Sequence, residues 1–243
     1  MAKMATREAY GKALAELAKE NKKILVLDAD LSGSTKTGSL TCTKAELDNS
    51  SGSLRMNAVN ASMNGIISNG SGSLTAGNIT VGTTAAAASD YQCIISNASG
   101  HMETGDVTVS GSLNLSTASG PAALGQVSAA AYTVSTARGS LKLTGLNGNG
   151  SLSCASGSIK AGTLIPTGPV SMDNGSGSIR ASIPENTGLE FYAAHIGPGS
   201  INAFFPIPDK KSASAQSPVQ YGNAPYFQIT ASTQTGSITL NKK

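Results

Sequence analysis

Apolar and polar residues alternate through most of this chain. Leu141 and Leu143, Leu152 and Cys154, Ile159 and Ala161, Val170 and Met172, Ile179 and Ala181, and Leu189 and Phe191 each stand two apart. That is the period of a half-buried strand. Among these pairs the triplet Gly-Ser-Leu or Gly-Ser-Ile returns ten times, with its Gly at 38, 52, 72, 111, 139, 150, 157, 177, 199 and 236. A dipeptide ending in Gly marks the units, at Ser51-Gly52, Ser71-Gly72, Ser99-Gly100, Ser119-Gly120, Arg138-Gly139, Ser156-Gly157 and Ser176-Gly177. The spacing is close to uniform, with one longer interval between Gly72 and Gly100. Gly takes positive φ without steric cost and a Ser hydroxyl bonds a nearby amide, so each step predicts a tight turn. Each unit therefore reads as strand, turn, strand, turn.

A unit of this length cannot bury its own apolar face, so neighbours must stack. A period near 20 suits one coil of a β-solenoid or a pair of strands in a repetitive sandwich. Stacking favours the solenoid, and the expected fold is all-β.

The first 38 residues follow another pattern. Tyr10, Ala13, Leu14, Leu17 and Ala18 form an apolar helical stripe with Thr6 as its cap. Ile24, Leu25, Val26 and Leu27 then read as a buried strand ending in Asp28-Ala29-Asp30. Twelve charged side chains fall in these 38 positions and nineteen in the remaining 205. The expected organisation is a helix-strand fragment at 1–38 and a β-repeat domain at 39–243, with the seam between Gly38 and Ser50. The short α/β segment is expected to cap the open first coil, where unpaired amides need covering.

Composition removes several function classes. Hydrophobic residues at 39% and a net charge of +3 exclude a disordered chain. The 17 basic and 14 acidic residues predict no basic stripe, and the few aromatics are not interleaved with cations, so nucleic acid is not an expected partner. No apolar run is long enough to cross a bilayer as a helix, so no membrane-spanning segment is expected. Arg7, Glu8, Lys12, Glu16 and Lys19 interrupt the opening, which reads as carrying no export signal.

Candidate chemistry is sparse. Cys42, Cys93 and Cys154 are an odd number at wide spacing and predict buried thiols. His101 and His195 have no carboxylate or cysteine at ligand spacing. Nine acidic residues follow position 38: Glu46, Asp48, Asp90, Glu103, Asp106, Asp173, Glu185, Glu190 and Asp209. Stacking should keep Asp106 and Asp173 apart, which leaves no carboxylate pair for glycoside hydrolysis. Calcium nonapeptides and phosphate loops are absent from the sequence. No catalytic, cofactor-binding or metal-ligating residue is therefore expected. Asn69-Gly70-Ser71 and Asn174-Gly175-Ser176 match the glycosylation sequon only because Asn precedes a Gly-Ser turn.

Two resemblances rest on particular stretches. MATREAYGKALAELAKENKKILVLDADLSGSTKTG, at 4–38, resembles the start of the C-terminal section of bacterial transketolases, the pyrimidine-binding domain for thiamine diphosphate. The resemblance implies that Asp30 matches an Asp near that cofactor. The Gly-Ile-Ala-Glu-Gln segment carrying that family's activating Glu has no counterpart here. From about residue 50 onward the Ser-Gly repeat resembles the DUF4097 family of adhesin-like β-repeat proteins. GLEFYAAHIGPGSINAFFPI at 188–207 and YFQITASTQTGSITLNKK at 226–243 match the family's closing pattern, which implies a final hairpin. The family's Asp after Ser-Gly is mostly Ser here, and the transketolase-like opening replaces its usual export signal or anchor.

The expected function is a non-enzymatic, surface or adhesin-like binding scaffold, with a glycan, cell-envelope or protein partner. A transketolase section without a complete cofactor site and a β-helical carbohydrate-active enzyme stand as alternatives.

Overall fold

The computed structural model describes residues 35–82, 91–195, 198–207 and 218–243. The helix and strand expected before residue 35, with Asp30 and the cap role given to them, lie outside the described residues. Among the described residues the chain is all β, without a helix. Its strands are β1 (Thr35–Asn49), β2 (Leu54–Asn69), β3 (Leu74–Val81), β4 (Gln92–Ser99), β5 (Met102–Thr104), β6 (Val107–Ser119), β7 (Ala122–Arg138), β8 (Leu141–Ser156), β9 (Ile159–Ser176), β10 (Ile179–Ile183), β11 (Gly188–His195), β12 (Ile201–Ala203), β13 (Val219–Tyr221), β14 (Tyr226–Thr235) and β15 (Ile238–Lys242).

Successive coils pair in parallel, as a solenoid requires and a sandwich of hairpins does not. β7 shows the arrangement. Residues 122–124 pair with 141–143 of β8, residues 126–129 with 145–148, and residues 131–138 with 149–156, with a register shift at Ala129/Ala131. Each coil thus contributes to three ladders. This corrects the expected unit of two strands and two turns. The missed corner lies between the first two ladders and carries no Ser-Gly step; single glycines mark it instead, at Gly77, Gly105, Gly125 and Gly162, where a Cβ would run into the neighbouring coil. Along β8, Leu141, Leu143, Leu146, Leu152 and Cys154 point inward, and the parity of the buried positions changes between Leu143 and Leu146.

The Ser-Gly step forms the corner between the third ladder of one coil and the first ladder of the next. Gly120 has φ +111°, and a Cβ there would stand 2.1 Å from the carbonyl oxygen of Gly100. Only a residue without a side chain fits both the backbone angle and the contact. Three of the ten triplets do not mark this corner: Gly38 lies within β1, Gly111 within β6 and Gly150 within β8. Gly150 faces Tyr132 of the neighbouring coil, whose ring is buried.

The core is a set of columns running along the solenoid. Leu54, Leu74, Met102, Ala122, Leu141, Ile159, Ile179, Ile238 and Ile201 follow one another in register, all buried. Full burial of each large aliphatic member contributes about 1.5–3 kcal/mol.

A second buried column is polar. Asn49, Asn69, Asn97, Thr117, Thr136, Cys154, Asn174 and Thr233 occupy equivalent positions three residues before the corner glycines. Asn49 donates to Asn69 at 2.6 Å and Asn69 donates to Asn97 at 2.8 Å. The amides of Asn49, Asn69 and Asn97 also donate to the carbonyls of Gly52, Gly72 and Gly100. These carbonyls sit at the turn, where the ladder bonds are interrupted, so the side chains supply partners the backbone lacks.

The C-terminal end departs from sequential stacking. β14 lies between β9 and β11, and β15 lies between β10 and β12. Gly236, not Gly199, stacks on Gly177, with 2.2 Å between a Cβ built there and the Gly177 oxygen. The last two strands therefore enter slots bounded by earlier segments, which corrects the expected final hairpin. Nothing in the local pattern of 226–243 distinguishes a strand pairing with its neighbour from one pairing with a coil far earlier in the chain. Phe191, Phe204, Phe205 and Tyr221 pack ring against ring here, with centroids 5.1–5.8 Å apart. They concentrate a large part of a small aromatic inventory at one end.

Candidate functional site

The outer side of the third ladder is a lattice of small polar groups. Because parallel pairing is in register, Ser96, Ser116, Ser135, Ser153, Asp173 and Ser232 form one row across the strands. Asn114, Thr133, Ser151, Ser171 and Thr230 form a second row two residues away. Rungs are about 4.8 Å apart. An open groove of about 530 Å³ runs over part of this surface, with Ser116, Ser135, Ser153 and Asp173 along it and Ala118, Ala137 and Ala155 beside them. The arrangement offers repeated weak hydrogen bonds.

The outer side of the first ladder carries a different row. Lys142, Lys160 and Arg180 occupy consecutive rungs and are exposed. This corrects the expectation that no basic stripe forms. The cations stand one coil apart along the chain, and only coil stacking makes them neighbours. A signal was present: Gly-Ser-Leu-Lys at 139–142, Gly-Ser-Ile-Lys at 157–160 and Gly-Ser-Ile-Arg at 177–180 put a cation directly after the triplet.

The candidate catalytic groups fall in dispersed places. His101 does meet a carboxylate, contrary to expectation, since Glu103 lies 3.8 Å from its Nε2. The pair alternates onto one side of the strand and is largely exposed. The side chain of His195, and Asp90 and Asp209, lie outside the described residues. Asp106 accepts a bond from the Gln126 amide at 2.8 Å, while its own amide donates to Asn78 at 3.0 Å. Its carboxylate thus ties one coil to the next. Asp173 stands on the third ladder, away from that corner. Glu185 pairs with Lys242. Among the described residues no three His, Cys, Asp or Glu side chains gather closely enough to hold a metal ion, and no helix is long and apolar enough to cross a membrane.

Cys93 and Cys154 are buried and Cys42 is half-buried, all as free thiols. Burial pushes the Cys93 thiol up to about 12 and raises Cys42 and Cys154 as well. Burial also raises the Tyr132 hydroxyl. These groups stay protonated, which makes poor nucleophiles of the thiols.

The sequence profile of the Toastrack DUF4097 family matches residues 32–241. The chain belongs to that family. No curated protein and no solved structure matches it.

Proposed function

We propose that this DUF4097 β-solenoid is a non-enzymatic binding scaffold of adhesin-like type, which holds a glycan, a cell-envelope polymer or a protein partner along its outer ladders at the cell surface. The observation carrying this reading is the in-register row of Ser116, Ser135 and Ser153 with Asn114, Thr133 and Ser151 beside it. Such a lattice matches a ligand that itself repeats, and affinity comes from many weak contacts made together. The thiols are held protonated, and Asp106 is engaged in coil-to-coil bonding. In this reading the residues before 35 supply no chemistry and thiamine diphosphate does not bind.

The test is a glycan array probed with the full chain, followed by incubation with each ligand it captures. Capture without new reducing ends is the expected result. Cleavage of a captured saccharide would replace the scaffold with a carbohydrate-active enzyme.

A further inference from the structure

We infer that Lys142, Lys160 and Arg180 form a docking strip for a linear acidic glycan bearing one anionic group per sugar. The inference rests on the binding reading above and names its ligand class.

Three like charges on neighbouring rungs about 4.8 Å apart repel one another. No described carboxylate pairs with them: Glu103, two rungs beyond Lys142 in the same row, faces His101, and Glu185 faces Lys242. The fold gains nothing from the charges, because the inward positions beside them, Leu141, Ile159 and Ile179, supply the burial. An uncompensated row of this kind fits an anionic partner that arrives from solution. Ser140, Ser158 and Ser178 stand two positions before the three cations, exposed on the same side, so each rung offers a cation and a hydroxyl.

The pitch selects among anions. A rung spacing of about 4.8 Å is close to the length of one pyranose residue, whereas the phosphates of a duplex strand advance about 3.4 Å each along the helix axis. Residues 141–143, 159–161 and 179–183 contain no aromatic side chain for base stacking. The exposed large hydrophobics, Met63, Ile66, Ile165 and Tyr226, lie off these segments, so nothing on the strip inserts into a lipid surface.

The experiment measures binding of the full chain to oligogalacturonate, a neutral linear glucan, single-stranded DNA and anionic phosphatidylserine vesicles. It compares wild type with K142Q/K160Q/R180Q and with a charge-matched control, K44Q/R55Q/K242Q, each verified as folded by thermal melting. The expected result is oligogalacturonate binding that weakens about tenfold in the first variant, with a shallower salt dependence, and changes little in the control. Equal weakening in both variants, or tighter binding to DNA or vesicles than to oligogalacturonate, overturns the inference. Binding of the neutral glucan without oligogalacturonate overturns it and leaves the scaffold reading standing. Binding of neither glycan overturns the inference and leaves the scaffold reading to a partner other than these glycans.

Discussion

Asn69 donates its side-chain amide to the side-chain oxygen of Asn97, 2.8 Å away, although 28 residues separate them. Asn49 donates in turn to Asn69, and all three side chains are buried. The relay joins three coils through groups that are almost wholly shielded from water. A buried polar chain of this kind is stabilising only while every member is present.

Asn69→Ala should therefore cost about 2–4 kcal/mol, since it strands a donor on Asn49 and an acceptor on Asn97. Asn69→Asp should cost more, because the carboxylate removes a donor and adds a buried charge. Urea denaturation followed by far-UV circular dichroism measures both. Equal, small effects would show that water reaches the column.

The stacked corner allows an internally controlled glycine test. Gly52 has φ +87° with nothing within 4 Å of a built Cβ, while Gly120 combines φ +111° with a 2.1 Å approach to a backbone oxygen. Gly52→Ala should cost about 1 kcal/mol from backbone strain, and Gly120→Ala about 3 kcal/mol or more because the coils must also part. Comparable losses at the two sites would mean that contact between coils contributes little.

Removal of residues 238–243 deletes β15 from between β10 and β12. Hydrogen exchange should then show lost protection at β10 and β12, with the first coils unaffected, as expected where each coil contacts only its neighbours. Uniform loss of protection through the chain would indicate a single cooperative unit instead.

Alkaline stability should depend on Cys93. Its thiol is raised from 9.0 in the reference state to about 12 in the fold by burial. The stabilising contribution is complete below about pH 9, where both states hold the proton. It is lost as pH rises through 9 toward 12, where the unfolded chain ionises first, with a slope of up to about 1.4 kcal/mol per pH unit. Urea midpoints measured from pH 8 to 10.5 should fall more steeply for wild type than for Cys93→Ala. Parallel slopes would place the titrating group elsewhere.

The all-β class, the coil period and the Gly corner were legible because each rests on short-range pattern: alternation at Leu141 and Leu143, and positive φ at Gly139. The inward asparagines were visible as letters, yet their burial was not. Asn before a turn reads as a solvated residue unless it is known that its amide serves the corner carbonyl. The order of the last strands was hidden for another reason, since Gly199 and Gly236 offer the same triplet and local chemistry does not choose which one stacks on Gly177. The basic row was hidden by dispersal: single cations roughly a coil apart leave net composition almost unchanged.

The slot filled by β15 also orders events in time. The ladder partners of β15, Ile179–Ile183 and Ile201–Ala203, are both synthesised before it. A chain leaving the ribosome can stack its early coils as they appear, but this slot stays vacant until residues 238–242 emerge. Emergence of residues 238–242 is thus the event that closes this end of the solenoid, and a chain interrupted before them leaves exposed strand edges for proteases and chaperones to find.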